Sequence, residues 1–181
     1  ALRLAEEGVL IGEQVGGTYY FHPDALVSRD QFVALAMHTV GLEALEGVTI
    51  TGFADDAAIP TWAKGYVSSA LKSGLVQGTV SEAGVVFEGE RPITKAEASV
   101  LLDRMLQVTD ASVTTLFPDL DTTPAWAYQA AVNLETVGVL QTAADGSLGL
   151  SDTLTRADAA DMLCGALELL EAREANGWLP W

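Results

Sequence analysis

The chain has 181 residues, and its 25 Asp and Glu against 9 Lys and Arg give a net charge of −16. Hydrophobic residues make up 49% and charged residues 19%, which excludes an intrinsically disordered chain and predicts a folded core. The acidic balance argues against binding to nucleic acid or anionic lipid, and no apolar stretch reaches the roughly 18 residues that span a bilayer. With one cysteine, Cys164, neither an intrachain disulfide nor a cysteine-rich zinc site is expected.

An internal repeat organises the sequence. The motifs Phe-x-Asp, Trp-Ala and Gly-apolar-apolar-Gln return 64 residues after their first occurrence, and an apolar-Thr-basic-Ala-acid motif returns after 61. They begin at Phe53, Trp62, Gly74 and Ile93, and again at Phe117, Trp126, Gly138 and Leu154. An earlier copy, displaced by 66 residues, contains Gly8–Gly12, Phe21 and Val27–Gln31.

The sequence therefore predicts three copies, residues 1–46, 47–110 and 111–175, followed by a tail, 176–181. The first copy lacks its front end, which indicates that the chain was cut from a longer protein. Each copy reads as helix, loop, helix, so the predicted fold is mostly α-helical.

In the first copy, a helix is predicted to begin at Ser28. Its inward positions are Phe32, Leu35, Ala36 and Val40. In the second copy a helix opens at Pro60-Thr61-Trp62 and stops at Gly74, because glycine favours the position after a helix end. Its periodic apolar residues are Trp62, Tyr66, Val67, Ala70 and Leu71.

A glycine-rich loop follows in the second copy, with Val85–Phe87 as a brief extended segment and not a true sheet. Further helices are predicted from Thr94 and, in the third copy, from Thr155. Their inward positions are Ala98, Leu101, Leu102, Met105 and Leu106, and then Ala159, Met162, Leu163, Ala166, Leu167 and Leu170.

The starts of these three helices share a polar pattern. Ser28, Thr94 and Thr155 are each followed three residues later by Gln or an acid, which predicts capping boxes. Capping does not explain the basic residue at the next position, because a cation there opposes the helix dipole.

These cations are Arg29, Lys95 and Arg156. They suggest three anion sites, each combining a cation with free backbone N–H groups of the helix N-terminus. The alternative is that each cation pairs with an acid of a neighbouring copy.

In order and spacing, these motifs resemble a tandem set of three S-layer homology (SLH) domains, from Ala1 to about Leu170. The resemblance implies helix-loop-helix repeats in a pseudo-threefold, mostly helical bundle. It also implies a non-catalytic module on the bacterial cell wall, hence an extracellular location. Such modules bind secondary cell-wall polysaccharide, typically a pyruvylated amino sugar, in grooves between repeats; other surface-layer proteins are a further kind of partner.

Carried over by motif, the resemblance assigns ligand binding to Ser28, Arg29, Thr94, Lys95, Thr155 and Arg156, and to the loop glycines Gly12 and Gly78. Thr142 replaces the equivalent glycine in the third copy, which predicts a weaker third groove because glycine lets a backbone approach a ligand closely. In the second groove, Lys95 lacks the guanidinium fork that suits a carboxylate. In the first, Asp30 places an acid beside Arg29.

Trp62 and Trp126 occupy equivalent helix positions and have two interpretations. Aromatic residues at helical spacing next to Ala most often pack in a core, which is the favoured interpretation. They could instead stack on a sugar face, so both remain candidate ligand-binding residues. The two tail tryptophans, Trp178 and Trp181, are expected to fold back onto the bundle.

Other polar residues are given structural roles. Asp55, Asp56, Asp119 and Asp121 lack the spacing of a calcium loop and are predicted to be helix-start carboxylates. His22 and His38 are assigned to surface or loop packing, and Cys164 to a small buried side chain.

No catalytic, metal or cofactor motif is present in the sequence, so we expect no enzyme activity from these residues. Two alternatives to glycan binding remain: a degenerate scaffold for protein interaction or surface-layer assembly, or one end of a surface-attached enzyme whose catalytic part lies elsewhere.

Overall fold

The computed structural model describes residues 3–4, 13–15, 18–112 and 117–177. The predictions for Gly8, Gly12, Trp178 and Trp181 lie outside the described residues. In the described part, 3-10 turns at Asp56–Ala58 and Leu120–Thr122 precede two of the helices. The helices are α1 (Arg29–Thr39), α2 (Thr61–Lys72), α3 (Lys95–Leu106), α4 (Ala125–Thr136) and α5 (Arg156–Ala175). The mostly α-helical fold is therefore confirmed.

Two short antiparallel hairpins accompany the helices. Strands β1 (Glu13–Val15) and β2 (Thr18–Tyr20) form the first hairpin. The second pairs β3 (Thr79–Ser81) with β4 (Gly84–Val86). The extended conformation predicted for this segment is confirmed at Val85 and Val86, but the prediction that it is not part of a sheet was wrong. The Ser81 hydroxyl stabilises the turn by donating to the Gly84 carbonyl at 2.8 Å and accepting from the Ala83 N–H at 3.2 Å.

The three copies meet in a closed ring of backbone hydrogen bonds immediately before α1, α3 and α5. The N–H of Val27 donates to the Leu154 carbonyl at 3.0 Å, that of Leu154 to Ile93 at 2.8 Å, and that of Ile93 to Val27 at 3.0 Å. These three residues occupy the same position in their copies, 66 and 61 residues apart. The ring therefore relates the copies by a pseudo-threefold arrangement.

The core is built from the buried faces of these helices. In α3 the predicted inward residues Ala98, Leu101, Leu102, Met105 and Leu106 are all buried. In α1 and α5 the inner positions Phe32, Ala36, Ala159, Met162, Leu163 and Ala166 are buried, while Leu35, Val40, Leu167 and Leu170 are half-buried against them. The helical period thus located these faces correctly.

The buried face of α2 differs from the prediction. Ala63, Val67 and Ala70 form the buried stripe, whereas Trp62 is 52% exposed and Leu71 is also exposed. Successive helical residues lie about 100° apart, so a stripe centred on Ala63 turns Trp62 away from the core. The core interpretation of Trp62 was therefore wrong.

A buried polar residue, Asn133, fastens α4 to the segment after α3. Its carbonyl oxygen accepts from the Ala111 N–H and the Gln129 amide, each at 2.9 Å. Its amide group donates to Asp103 at 3.0 Å and to Asp110 at 3.2 Å. Burial is the main cause that raises the pKa of Asp103, and the charge of Asp110 adds to it. Full satisfaction of the amide explains how a polar side chain is tolerated here.

Candidate functional site

The N-termini of α1, α3 and α5 do not offer free backbone N–H groups. In α1 the N–H groups of Arg29 and Asp30 donate to the carbonyls of Arg91 and Gly89, at 2.9 and 3.0 Å. In α3 the N–H groups of Lys95 and Ala96 donate to the carbonyls of Asp152 and Leu150 in the same way. In α5 the N–H groups of Arg156 and Ala157 donate to the carbonyls of Ala25 and Pro23. Each helix start is thus hydrogen-bonded to a segment of another copy, so the prediction that these N–H groups are free for an anion was wrong.

The caps use the remaining polar groups of these helix starts. The hydroxyls of Thr94 and Thr155 accept from the N–H groups of Glu97 and Asp158, at 3.3 and 3.1 Å, and the acids accept in return. These two capping boxes are confirmed.

The first helix start also has the predicted capping box between Ser28 and Gln31, and Asp30 takes part in it. The Ser28 N–H donates to the Gln31 side chain at 3.1 Å, but the Asp30 carboxylate accepts from the Gln31 N–H at 2.7 Å and from the Ser28 hydroxyl. Asp30 is only 3% exposed, so it acts in the cap and does not project into solvent.

The three cations at these starts have different surroundings. Arg29 donates to Glu97 at 2.8 Å and to the Gln77 carbonyl at 2.9 Å, and it stacks over the Phe87 ring. Lys95 lies 3.5 Å from Asp158. Arg156 donates from Nε to the Phe21 carbonyl at 2.8 Å and stacks over the Phe21 ring. Pairing with an acid of another copy therefore holds for Arg29 and Lys95, as the alternative interpretation predicted.

Glu97 is held between two guanidinium groups. Arg91 donates to both of its oxygens, at 2.8 and 2.5 Å, in addition to the bond from Arg29. Burial by itself would raise the pKa of Glu97, but the hydrogen bonds from Arg91 and the Thr94 N–H, and the charges of Arg29 and Arg91, outweigh it and lower the pKa to about 2. Glu97 is therefore ionised at neutral pH, and two cations more than neutralise it.

A groove lies beside this cluster, where residues of all three copies meet, with a cavity volume of about 230 Å³. We call it the first groove. Its polar and aromatic walls combine Arg29 from α1, Gln77 from the loop, Thr79 from β3, Glu97 and Arg104 from α3, and Trp126 from α4. The apolar lining is supplied by Val33, Leu75, Val76, Ile93, Val100 and Leu101. All three copies thus contribute to one groove.

Trp126 is 63% exposed, so the core interpretation was wrong for this tryptophan as well. Trp62 lines a second pocket, together with Leu26, Ser28, Asp30, Gln31, Pro60, Glu90 and Pro92. No Lys or Arg is among these lining residues, whereas the first groove contains two Arg against one Glu. The two tryptophans therefore lie in different electrostatic surroundings.

Gly78 has a packing role. A Cβ added there would lie 2.4 Å from the Val85 side chain, 2.7 Å from the Phe53 ring and 2.8 Å from the Val86 carbonyl. The glycine lets the β3–β4 hairpin close against its own copy, and this requirement does not involve a ligand. The argument that Thr142 weakens the third groove for lack of a glycine thus loses its physical basis.

We expect Gly78→Ala to lower the free energy of unfolding by about 1–3 kcal/mol, because the added methyl group overpacks this contact. Urea denaturation measures the effect. Val80→Ala is the matched control, since Val80 lies in the same hairpin with its side chain 84% exposed. Equal stability of the two variants would contradict the packing role.

The remaining polar candidates are structural. Asp55 accepts from the N–H groups of Phe87 and Glu88, and Asp119 from those of Leu148 and Gly149, so these carboxylates tie the loop to the 3-10 turn of the same copy. Asp56 pairs with Lys64 at 2.6 Å.

Neither a metal centre nor a membrane span is found in the described ranges. No group of three or more His, Cys, Asp and Glu is placed there to hold a metal ion. No helix in them combines the length and apolar composition needed to cross a membrane. Cys164 is half-buried, His38 is exposed, and His22 stacks with Tyr20.

Comparison with known proteins identifies the second copy. Residues 52–99 match the S-layer homology domain family. The chain is 31% identical over 88 residues to an amylopullulanase of Thermoanaerobacterium thermosulfurigenes, and 30% over 88 residues to the exoglucanase XynX of Acetivibrio thermocellus. It is 26% identical over 92 residues to a surface-layer 125 kDa protein of Lysinibacillus sphaericus.

The alignments cover 47–51% of this chain and only 5–8% of the relatives. The catalytic activities named for two relatives therefore do not transfer to these residues. Residues 52–99 thus match a domain family named for surface layers, and one of the similar proteins is itself a surface-layer protein.

Proposed function

We propose that the chain is a non-catalytic module that anchors a protein to the bacterial cell wall by binding an anionic wall polysaccharide. The observation that carries this proposal is the first groove, where two Arg and an exposed Trp surround a single, already neutralised Glu. We extend the S-layer homology assignment from residues 52–99 to all three copies, and the backbone ring that joins equivalent positions of the copies supports this extension.

The charge distribution supports an anionic ligand at this one place. The chain as a whole carries −16, so long-range attraction cannot bring an anion to it. Within the first groove the lining charges are two positive and one negative, and Arg91 adds another positive charge behind Glu97. Short charge-assisted hydrogen bonds in a partly desolvated groove are then the source of affinity.

The shape of the groove supports a sugar. A volume of about 230 Å³ suits a residue of monosaccharide size better than a large drug-sized ligand. The exposed Trp126 ring offers a flat apolar face, while the neighbouring guanidinium groups offer hydrogen-bond donors. A pyruvylated amino sugar, which carries a carboxylate on a pyranose ring, has both complementary features.

The other cations contribute less in this proposal. Lys95 faces Asp158, whose pKa is lowered despite burial by hydrogen bonds from Thr155 and by the charge of Lys95. Arg156 is engaged by the Phe21 carbonyl and ring. We therefore assign the principal carboxylate site to the first groove.

Co-sedimentation with purified wall sacculi tests the function. We expect the protein to pellet with intact walls, to remain in solution after chemical removal of the secondary polysaccharide, and to pellet weakly with depyruvylated walls. Sedimentation that is unchanged by removal of the polysaccharide would overturn the proposal. Failure to pellet with matched walls would favour the protein-interaction scaffold.

A further inference from the structure

We infer that Arg104, which lies outside the repeated motifs, is the residue of the first groove that contacts the ligand's carboxylate, and that it makes this groove the acid-specific one of the three. The inference rests on the proposed function, because it concerns the same groove.

Arg29 is much less accessible to a ligand than Arg104, because its side chain is largely buried. Its side chain is 13% exposed, and its two terminal nitrogens donate to Glu97 and to the Gln77 carbonyl. Its Nε is buried and has no hydrogen-bond partner within the described part of the chain. Burial also lowers the pKa of Arg29. Arg29 therefore fixes the groove wall and supplies positive charge from behind it.

Arg104 is placed differently. It lies in the last turn of α3 with its side chain exposed, and it lines the same groove as Arg29 and Trp126. One terminal nitrogen donates to the Leu75 carbonyl at 3.2 Å. A guanidinium has five N–H donors, so this bond orients Arg104 and leaves several donors for a carboxylate. Across the described ranges, no acid forms a salt bridge with it.

Arg91 supports this arrangement as a positioning residue. By donating to both oxygens of Glu97, it holds the acid against the helix start. The hydrogen bond between Glu97 and Arg91 is the main cause that raises the pKa of Arg91. An acid engaged in this way repels an incoming carboxylate less than an isolated Glu would.

The equivalent positions in the other copies carry no Arg. By the repeat offsets, Arg104 corresponds to His38 in α1 and to Gly165 in α5. Gly165 is buried, and a Cβ there would lie 2.8 Å from the Gly138 carbonyl and 2.9 Å from Val139 Cα, so no side chain fits. The structure therefore provides an exposed Arg at this position in one groove, and we expect one acidic sugar bound per chain.

Calorimetric titration with two defined probes tests the inference. The probes are the methyl glycoside of an N-acetylated hexosamine 4,6-pyruvate ketal and the methyl ester of the same compound, which has no charge. We expect the wild-type protein to bind the acid at least about tenfold more tightly than the ester, with one site per chain. Arg104→Ala should remove most of that preference while changing ester affinity less than about twofold.

Two further variants serve as controls. Lys72→Ala removes the same charge from an exposed last-turn position of α2 that does not line the first groove, so its affinities should match the wild type. Arg104→Lys should keep part of the preference, because it retains the charge without the fork.

An equal loss of acid and ester binding in Arg104→Ala would show a merely structural role and overturn the inference. An unchanged acid preference, or an absence of preference in the wild-type protein, would also overturn it. The sedimentation of the wild-type protein on walls is a separate measurement, so the proposed function can stand when this inference fails.

Discussion

Replacing Trp126 with alanine should weaken binding to the wall polysaccharide by about tenfold or more and leave the fold intact. The ring is 63% exposed, so its removal takes little apolar area out of the core, and the free energy of unfolding should change by less than about 0.5 kcal/mol. An aromatic side chain in a binding groove typically contributes more to affinity than its neighbours do.

The measurement is co-sedimentation over a range of wall concentrations, with urea denaturation of the same samples. Ile50→Ala is the matched control, because Ile50 is an apolar residue that is 73% exposed and does not line the first groove. Wall affinity of the Trp126 variant equal to that of the Ile50 variant would contradict a ligand-stacking role.

Glu97→Gln should lower the free energy of unfolding by about 2–3 kcal/mol at pH 7, because it leaves two partly buried guanidinium groups without their shared acid. The pKa of Glu97 falls from 4.5 to about 2 in the folded protein, so this carboxylate stabilises the fold fully above about pH 4.5. The contribution shrinks as the pH falls from about 4.5 through 2, and it is lost below about pH 2, where the group is protonated in both states.

Denaturation at pH 7 and at pH 2.5 checks this prediction. The stability difference between wild type and Glu97→Gln should shrink markedly at the lower pH. Glu88→Gln is the control, since Glu88 also contacts Arg91 but at 3.4 Å and with a side chain 43% exposed, where ion pairs contribute little. A difference between wild type and Glu97→Gln that stays constant with pH would contradict the assignment.

Much of the architecture could be predicted from local patterns. Capping boxes place the starts of α3 and α5 within a few residues of sequence, and the helical period identifies the buried face of α3. The repeat offsets pair Val27, Ile93 and Leu154, and these residues form the backbone ring. Such features are predictable because each depends on residues close together or on exact repetition.

The site was predicted only in part. Arg29 was found from its repeated position, but its partners Glu97 and Arg91 act across two copies. Trp62 and Trp126 are expected in the core from helical spacing, but both are exposed. Helical spacing shows which residues share a face and does not show which face another helix covers. Arg104 and Asn133 lie outside every motif identified in the sequence. Their hydrogen bonds join segments that are far apart in the chain, and the sequence gives no signal for such bonds.

The sequence by itself predicted three copies, and it determined the helix starts and the small number of cations, because capping, periodicity and charge are local properties. Only the tertiary structure decided what those cations can do. When the ring closes, the N–H groups of each helix start donate to carbonyls of another copy, so they are not free to bind an anion. The same packing brings Arg29, Arg104 and Trp126 from three copies to one groove, because side chains far apart in sequence meet only once the helices pack.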